Sequence, residues 1–307
     1  MARADIYMKG LPLWLPLLFG LAFSFFVNHR ILAEDSEAVG SVLQLDSRGR
    51  LLVSVAVEGH ESQYPFLLDT AAEKTVLYRT LVSLLDLEAI PFRSERVFTA
   101  TGTRSVQVYR VGSLIALGRE LDVPEMVAMP DQLGVEHYGT LGQDLLRGKR
   151  LIVMPTAAFL QDPEVSLPDG KWLKINGRPV GRGAIAVEVK IGSLTLPAVV
   201  DTGSEITVIN GPAFEALKDE MPTDWIEGTT GLSSAAGSVQ ARRLFVPALE
   251  IGDWRLDEQS IATAQLPVFR ILGAYHAPAM ILGADVLLQS NAIAIDFAQW
   301  EIYVRQP

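Results

Sequence analysis

Two segments of the sequence place an aspartate and a threonine directly after a run of mostly apolar residues. Asp69-Thr70-Ala71-Ala72 follows the run Tyr64–Leu68, and Asp201-Thr202-Gly203-Ser204 follows the run Leu196–Val200. Hydrolysis at a carbonyl needs one group that takes a proton from water and a second that gives a proton to the carbonyl oxygen. Two carboxyl groups about 3 Å apart can do both, because they cannot both ionise and therefore share one proton. Asp69 and Asp201 are candidates for such a pair if the fold brings them together.

The residues that follow the two aspartates repeat in the same order. The matching segments are Glu73–Leu77 and Glu205–Ile209, then Gly102–Gln107 and Gly237–Gln240, and finally Thr140–Leu146 and Ile281–Leu287. The separation is 132 residues between the aspartates, 135 between Gly102 and Gly237, and 141 between Gly142 and Gly283. Three landmarks at nearly constant separation indicate a duplicated unit.

The elements that must hold these residues are short β-strands. Leu51–Val57 and Ala184–Ile191 alternate in the manner of half-buried strands, and a glycine turn follows each. Apolar runs broken by Gly, Pro, Asp and Ser dominate both halves, which predicts an all-β class. Gly102 and Gly237 are predicted to lie at the tips of two hairpins. Short helices are predicted at Thr80–Leu87, at Pro212–Asp219 and after each Leu-Gly pair.

The duplication also predicts the domain organisation. The stretch Gln161–Arg182 is rich in proline and glycine, which is typical of a connection. We therefore predict a first lobe over residues 38–165, a linker over 166–183 and a second lobe over 184–307, although Lys171–Ile175 could add a strand.

The N-terminus has the pattern of an export signal. Arg3 and Lys9 precede an apolar run over residues 11–27, and acidic residues follow it. The run is slightly long for a signal-peptide core and slightly short for a transmembrane helix. Residues 1–33 are therefore predicted to be a signal peptide or a membrane anchor, and residues 11–27 allow membrane attachment. Either outcome makes the protein periplasmic, secreted or membrane-anchored, with its lobes outside the cytoplasm.

Composition excludes several classes of function. The 307-residue chain has no cysteine and a net charge of −10, and its four histidines are widely separated. Thiolate metal sites, iron–sulfur clusters and a cysteine nucleophile are therefore excluded, and the histidine spacing matches no metal motif. An acidic chain without a basic block is unsuited to neutralising phosphates. We predict no metal, no cofactor and no nucleic-acid partner.

The repeated pattern of apolar residues, Asp-Thr, a hairpin and a Leu-Gly pair resembles the lobes of aspartic proteases. Leu67–Leu77 is similar to the active-site stretch of retroviral-type proteases (retropepsins), and Val199–Ser204 is closer to the pepsin form. From about Leu51 onwards, the chain resembles a bacterial-type, two-lobed pepsin-like aspartic protease built from two retropepsin-like repeats. The resemblance implies an aspartic endopeptidase with peptide or protein substrates, in which Asp69 and Asp201 are catalytic.

The same resemblance implies roles for the neighbouring residues. Thr70 and Thr202 would each hydrogen-bond to the opposite loop, Gly203 would leave room for the loops to approach, and Ser204 would hydrogen-bond to the carboxylate of its own site. Gly102 and Gly237 would lie on flap-like hairpins over the substrate, with Phe98 and Tyr109 as the nearest aromatic residues. Asp144 and Asp285 are interpreted instead as helix N-caps.

Ala71 departs from the family pattern, because that position is normally glycine. Its Cβ could crowd the pair, and a backbone angle suited to glycine would be strained. Two alternatives to the endopeptidase follow. One is a weak or inactive protease-like module that binds peptides or proteins, and the other is a protein whose pair forms only between the Asp201 loops of two chains. With both repeats in one chain, a monomer is sufficient for the pair.

Overall fold

The computed structural model describes residues 40–131, 134–220, 226–234 and 237–306. The predicted export segment, residues 1–33, lies outside the described residues, so both the signal and the membrane attachment stay predictions. Within the described ranges, none of the helices combines the length and the apolar character needed to cross a membrane.

The described residues of the first half form ten strands, a short α-helix and a 3-10 helix. The helices are α1 (Arg79–Leu84) and the 3-10 helix Gln143–Leu145. The strands are β1 (Ser41–Leu45), β2 (Leu51–Val57), β3 (Gln63–Leu68), β4 (Val76–Tyr78), β5 (Ala89–Thr99), β6 (Gly102–Ala116), β7 (Arg119–Met129), β8 (Gly139–Leu141), β9 (Arg150–Met154) and β10 (Ala157–Gln161).

The second half repeats this order among its described residues. Its helices are α2 (Gly211–Leu217), α3 (Val268–Ile271) and α4 (Ala284–Leu287). Its strands are β11 (Trp172–Val180), β12 (Ala184–Ile191), β13 (Leu194–Val200), β14 (Val208–Ile209), β15 (Ile226–Ser234), β16 (Gly237–Ile251), β17 (Trp254–Thr263), β18 (Met280–Leu282), β19 (Ile293–Asp296) and β20 (Glu301–Arg305).

Six strands in each half pair into a closed ring. In the first half the order is β2, β3, β8, β4, β7 and β6, and β6 pairs back with β2. In the second half β12, β13, β18, β14, β17 and β16 pair in the same way. Both rings have parallel pairs at the same two places, β3–β8 and β4–β7 in one, β13–β18 and β14–β17 in the other. The all-β class and the duplication are confirmed.

Alternating apolar side chains fill the interior of each ring. Val53, Val55 and Val57 of β2 are at most 2% exposed, and the same holds for Val187, Val189 and Ile191 of β12. Burial of a side chain of this size contributes roughly 1.5–3 kcal/mol. These residues belong to one apolar cluster that includes members of both halves, so the strand ends that carry the aspartates have a rigid support.

A third sheet joins the two halves. It has the order β1, β10, β9, β19, β20 and β11, with three strands from each half and the antiparallel pair β9–β19 at its centre. The segment predicted as a linker, residues 166–183, contains β11, which pairs with β20 and β12. The strand considered at Lys171–Ile175 is present from Trp172 and continues to Val180, because residues Trp172–Asn176 pair with β20 and Ile175 is buried in the core. The domain boundaries stay predictions.

The hairpins and short helices occur near the predicted positions. Strands β5 and β6 form a hairpin whose turn is Ala100 and Thr101, and Gly102 begins its return strand. Gly237 likewise begins β16, with φ 148°, in the hairpin β15–β16. α1 and α2 cover most of the predicted helices, and a helical turn follows each Leu-Gly pair. These predictions are confirmed.

Candidate active site

Asp69 and Asp201 occupy the same position in the two rings. Each follows directly after a strand, Asp69 after β3 and Asp201 after β13. The backbone amide of Asp69 donates to the carbonyl of Leu141 at 3.0 Å, and that of Asp201 donates to the carbonyl of Leu282 at 2.9 Å. Because Leu141 and Leu282 end the neighbouring parallel strands, each aspartate is fixed where two strands of its ring end together.

The loop after each aspartate orients its carboxylate. Asp69 Oδ1 accepts hydrogen bonds from the amides of Ala71 at 3.0 Å and Ala72 at 2.8 Å. Asp201 Oδ1 accepts from the amides of Gly203 at 2.9 Å and Ser204 at 3.1 Å. Hydrogen bonds to an ionised acceptor are stronger than neutral ones, so both carboxyl groups are held in place before any ligand binds.

The two carboxyl groups hydrogen-bond to each other across the two halves. Burial raises the pKa of Asp69, although the loop amides and the bond to Asp201 oppose the rise. Burial, followed by the charge of Asp69, raises the pKa of Asp201 well above its ordinary value. A pair of this kind holds one proton between two carboxyl groups over a wide pH range.

Thr70 and Thr202 connect the two loops reciprocally. Thr70 Oγ1 donates to the carbonyl of Val200 at 2.9 Å, and Thr202 Oγ1 donates to the carbonyl of Leu68 at 2.6 Å. Each hydroxyl also accepts the amide of the other threonine, at 3.1 and 3.2 Å. Both threonines are buried. Each half therefore binds the strand end of the other, and the separation of the two aspartates is fixed.

Gly203 is required by contact with the opposite aspartate. A Cβ atom at Gly203 would lie 2.4 Å from Asp69 Cγ. This distance is too short for two carbon atoms that are not bonded, so the position requires glycine. The equivalent residue, Ala71, packs its methyl group against Ala184 and Val199 of the second half. Neither Ala71 nor Gly203 has a positive φ, so the backbone strain considered for Ala71 does not occur.

Ser204 hydrogen-bonds to the carboxylate of its own site through its backbone amide, which donates to Asp201 Oδ1 at 3.1 Å. Its hydroxyl donates instead to the carbonyl of Ile206 at 2.9 Å, because the turn after Asp201 brings that carbonyl within reach of the side chain.

Asp144 and Asp285 hold the active-site loops and are not N-caps. The N-cap positions are Gly142 and Gly283, without side-chain capping bonds. Asp144 instead accepts hydrogen bonds from the amide and the hydroxyl of Thr75, at 2.9 and 2.7 Å. Asp285 accepts the same two bonds from Thr207, at 2.9 and 2.7 Å. Each aspartate also accepts the amide of the next residue, Leu145 at 3.1 Å and Val286 at 2.9 Å. The N-cap interpretation was wrong because each helical turn begins two residues before the aspartate, at a glycine N-cap.

Thr75 and Thr207 are residues whose role the sequence reasoning missed. Each hydroxyl also accepts a backbone amide at 3.0 Å, that of Gly142 for Thr75 and that of Gly283 for Thr207. The signal was present in the repeated segments Glu73–Leu77 and Glu205–Ile209, in which both copies keep Glu-X-Thr-Val.

The aspartate pair faces a cavity of about 570 Å³ between the two halves. Phe98, Ala100 and Thr101 of the first hairpin line it, and so do apolar residues of the second half, Leu232, Leu266, Val268, Ile271, Leu272 and Ile281. The hairpin turn reaches the second half, since the Val268 amide donates to the carbonyl of Ala100 at 3.4 Å. Thr101 Oγ1 donates to the carbonyl of Gly237 at 3.4 Å.

The predicted flap residues therefore lie next to the cavity wall. Gly102 and Gly237 are not lining residues, and the adjoining turn of the first hairpin covers the cavity instead. Of the two aromatic candidates, Phe98 lines the cavity, whereas Tyr109 lies further along β6, opposite Met126 of β7. In the part of the chain that the structure describes, no cluster of histidine and acidic side chains is arranged to hold a metal ion.

Comparison with known proteins gives one family. The family model described as aspartyl protease matches residues 53–145 and 187–286, so that each match covers nearly all of one ring and contains one of the two aspartates. A search of curated proteins finds no match to the chain. Because the two matched regions cover more than half of the sequence and coincide with the two repeats, the chain belongs to the aspartyl protease family.

Proposed function

We propose that the protein is an aspartic endopeptidase in which Asp69 and Asp201 activate one water molecule. The observation that carries this proposal is the hydrogen-bonded carboxyl pair at the cavity, with two loop amides on each carboxylate. The pair supplies a base and an acid in the same place, which is the requirement for adding water to a peptide carbonyl.

The proposed reaction needs no covalent intermediate. The ionised carboxyl takes a proton from water as the water oxygen attacks the carbonyl carbon, and the protonated carboxyl gives its proton to the carbonyl oxygen. The tetrahedral product then collapses. As the carbon–nitrogen bond breaks, the protonated carboxyl gives its proton to the leaving nitrogen, and the other carboxyl takes a proton from a hydroxyl group of the tetrahedral intermediate. The pair therefore again holds one proton when the carboxylic acid and the amine are released.

The cavity supports an extended peptide as the substrate. The turn Ala100–Thr101 presents the edge of a hairpin on one side of the cavity, and peptides bind such edges by adding a strand. The apolar lining residues of the second half, among them Leu232 and Ile281, favour apolar substrate side chains near the scissile bond.

The two alternatives receive less support. The binding-only module was motivated by Ala71, whose unstrained backbone and packed methyl group remove that motive. The pair formed between two chains is unnecessary when Asp69 and Asp201 already hydrogen-bond within one chain, which supports a monomer as the active unit.

Hydrolysis of a denatured protein from acidic to neutral pH tests the proposal. Asp69→Asn and Asp201→Asn should each lower the rate by about 10³-fold or more, because the pair acts as a unit. Asp122→Asn, an exposed aspartate of β7, is the matched control and should keep the wild-type rate. Loss of activity in the Asp201 variant alone would support the two-chain alternative. A folded but inactive wild type would support the binding module.

The export segment adds a location to this proposal. The basic leader and the apolar run of residues 11–27 favour export, so the endopeptidase would act outside the cytoplasm. The mass of the mature protein distinguishes removal of residues 1–33 from their retention, and recovery of an unprocessed protein from the cytoplasm would contradict export.

A further inference from the structure

Arg50 lies opposite Asp69 in the first ring. Strands β2 and β3 are antiparallel, with Leu52 opposite Leu67. Continuing that register by two residues brings Arg50 opposite Asp69. Residues directly opposite each other project from the same face of a sheet, with Cβ atoms about 5 Å apart. Arg50 and both aspartates also line the same cavity.

The guanidinium group of Arg50 is held in place by the first half alone. Its Nε and Nη2 atoms lie 2.8 and 2.7 Å from Asp46 Oδ2, and its backbone amide donates to Asp46 Oδ1 at 2.9 Å. Nη2 is also 3.5 Å from His137 Nε2. Arg50 is 8% exposed. A buried cation in fixed geometry interacts with a nearby carboxylate more strongly than a mobile surface cation does.

The second half has no charge at the equivalent position. Ala186 is opposite Val199 in the pair β12–β13, and continuing that register by two residues brings Ala184 opposite Asp201. Ala184 lines the cavity and is 4% exposed. The two halves of a nearly symmetric site therefore differ by a buried guanidinium group, which is paired with Asp46 and belongs to the residue opposite Asp69.

Apart from Asp46, the other charged groups around the site do not compensate for this difference. Above about pH 4 His137 is neutral, because burial and the charge of Arg50 lower its pKa to about 4. Arg96 is an exposed residue of the cavity rim. The remaining charges form the ion pairs Lys74–Glu95, Arg182–Glu73 and Arg48–Glu205. The Asp46 carboxylate, which is bound to Arg50, offsets part of the arginine charge.

We propose that Arg50 is a positioning residue that assigns the two roles in the aspartate pair. By facing Asp69, it keeps Asp69 ionised as the group that takes the proton from water, and it leaves the shared proton on Asp201, which gives it to the carbonyl oxygen. This assignment of roles rests on the proposed endopeptidase function, whereas the placement of the proton can be measured without catalysis.

The electrostatics of the pair agree with this geometry. The charge of Arg50 lowers the pKa of Asp69 and so partly offsets the effect of burial. Asp201 has no facing cation, and its pKa is raised well above the ordinary value by burial and by the charge of Asp69.

The first test measures carboxyl titration by ¹³C NMR on protein labelled at the aspartate side-chain carbon. Asp201→Asn leaves Asp69 alone in the site, and Asp69→Asn leaves Asp201 alone. We expect the remaining Asp69 to titrate at lower pH than the remaining Asp201, and Arg50→Gln to remove most of that difference. Equal titration in the two parent variants, or a difference that survives Arg50→Gln, would overturn the proposal.

Matched variants separate charge from structure. Arg50→Lys keeps the charge and should keep the titration order. Arg48→Gln removes a charge from the same turn, where the Arg48 side chain binds Glu205. This variant should also keep the titration order. If Arg50→Gln alone does not fold because Asp46 loses its partner, the double variant Asp46→Asn with Arg50→Gln replaces the ion pair by an amide pair. This double variant should also abolish the difference in titration between Asp69 and Asp201.

The second test uses the pH dependence of kcat/KM in the active enzyme. Removing Arg50 destabilises the singly ionised pair, so the acid limb of the profile should move to higher pH by about one unit. A lower rate with an unmoved acid limb would indicate a structural role only and would contradict the proposal. If the wild-type protein has no activity, the endopeptidase proposal is contradicted. The NMR titration would still show whether Arg50 determines which aspartate holds the proton.

Discussion

Ala71 and Gly203 occupy equivalent positions but meet different neighbours. Gly203 lies against Asp69, where a Cβ would be 2.4 Å from the carboxyl carbon. Ala71 packs its methyl group into a small apolar cluster with Ala184, Ala186 and Val199. The same position therefore tolerates a methyl group on one side of the site and excludes it on the other.

This difference predicts opposite outcomes for a reciprocal pair of variants. Gly203→Ala should lower kcat by about 10²-fold or more, because the new Cβ displaces the carboxyl group of Asp69. Ala71→Gly should change kcat only by a few fold and should cost roughly 0.5–1 kcal/mol of stability through backbone entropy and lost packing. Steady-state kinetics and urea unfolding check both. A large gain in activity for Ala71→Gly would mean that the methyl group does crowd the first site.

The aspartate pair also affects stability, and the sign follows from linkage. The folded-state pKa of both carboxyls is raised, so the folded protein binds more protons than the unfolded chain. The contribution is fully present below the ordinary aspartate pKa of 3.8 and is lost as the pH rises through the folded-state pKa values. At neutral pH the pair therefore lowers the free energy of unfolding.

Asp201→Asn should accordingly be more stable than the wild type at neutral pH. Asparagine keeps an acceptor for the amides of Gly203 and Ser204 but removes the repulsion with Asp69. We expect the free energy of unfolding to increase by roughly 1 kcal/mol, which corresponds to a rise of about 2–4 °C in Tm. This stabilisation should become smaller as the pH falls towards 4. Thermal unfolding at several pH values measures it, with Asp122→Asn as the control. A variant less stable than wild type at pH 7 would contradict the argument.

At the scale of elements, each active-site loop is held by a threonine and an aspartate from the same half. Thr207 Oγ1 donates to Asp285 at 2.7 Å and accepts the amide of Gly283 at 3.0 Å. Thr75 makes the same contacts with Asp144 and Gly142. These bonds join the loop after the aspartate to the start of the next helical turn, so that strand, loop and helix move together.

Thr207→Val tests this connection. Valine keeps the shape of threonine but leaves the buried Gly283 amide without its acceptor, which should cost about 1–3 kcal/mol. Thr207→Ser keeps the hydroxyl and should cost less. Urea unfolding measures the difference in the free energy of unfolding, provided that the slope of that free energy against urea concentration is the same in the variants and the wild type. Equal losses in the two variants would show that the methyl group, and not the hydroxyl, carries the effect.

The elements also show what sequence patterns can predict. Asp69 and Asp201 were predictable because each copy supports the other and both follow apolar strands. Asp144 was misread as an N-cap because its partner Thr75 is 69 residues away, and local preferences carry no information about that contact. The strand β11 was read mainly as a linker because it contains Gly177 and Pro179, although pairing with β20 decides its conformation.

Arg50 illustrates the limit most directly. No pattern in the sequence marks it as a neighbour of Asp69, because their relation depends on the register of β2 with β3. One residue of slip would turn the arginine to the other face. Residues whose role depends on register therefore become visible only in the folded structure.

At the scale of the whole molecule, one buried ion pair joins the halves. Arg150 of β9 lies opposite Asp296 of β19 in the joining sheet, with Nη2 2.9 Å from Oδ2. Arg150 is 6% exposed and Asp296 is fully buried. The same guanidinium donates to the carbonyls of Pro163 and Val165, at 2.7 and 2.8 Å, and so also holds the beginning of the connection between the repeats.

Arg150→Met should therefore be strongly destabilising, by about 3–5 kcal/mol, because it leaves the Asp296 carboxylate buried without its cation. The control is Lys174→Met in the same sheet. Lys174 is exposed and pairs with the partly buried Glu301, so that the loss should be smaller, about 1 kcal/mol. Urea unfolding measures both. Similar losses for the two variants would mean that the central ion pair has no special role in joining the halves.

The reciprocal hydrogen bonds of Thr70 and Thr202 resemble a contact between two identical subunits, in which both partners make the same hydrogen bonds to each other. In a true homodimer every substitution would occur on both sides of the axis, so an arginine facing one aspartate would face the other as well. Covalent fusion of the two copies lifts that constraint. Arg50 and Ala184, like Ala71 and Gly203, are positions at which the fused copies have become different. The two aspartates therefore have different neighbours, which a symmetric assembly could not give them.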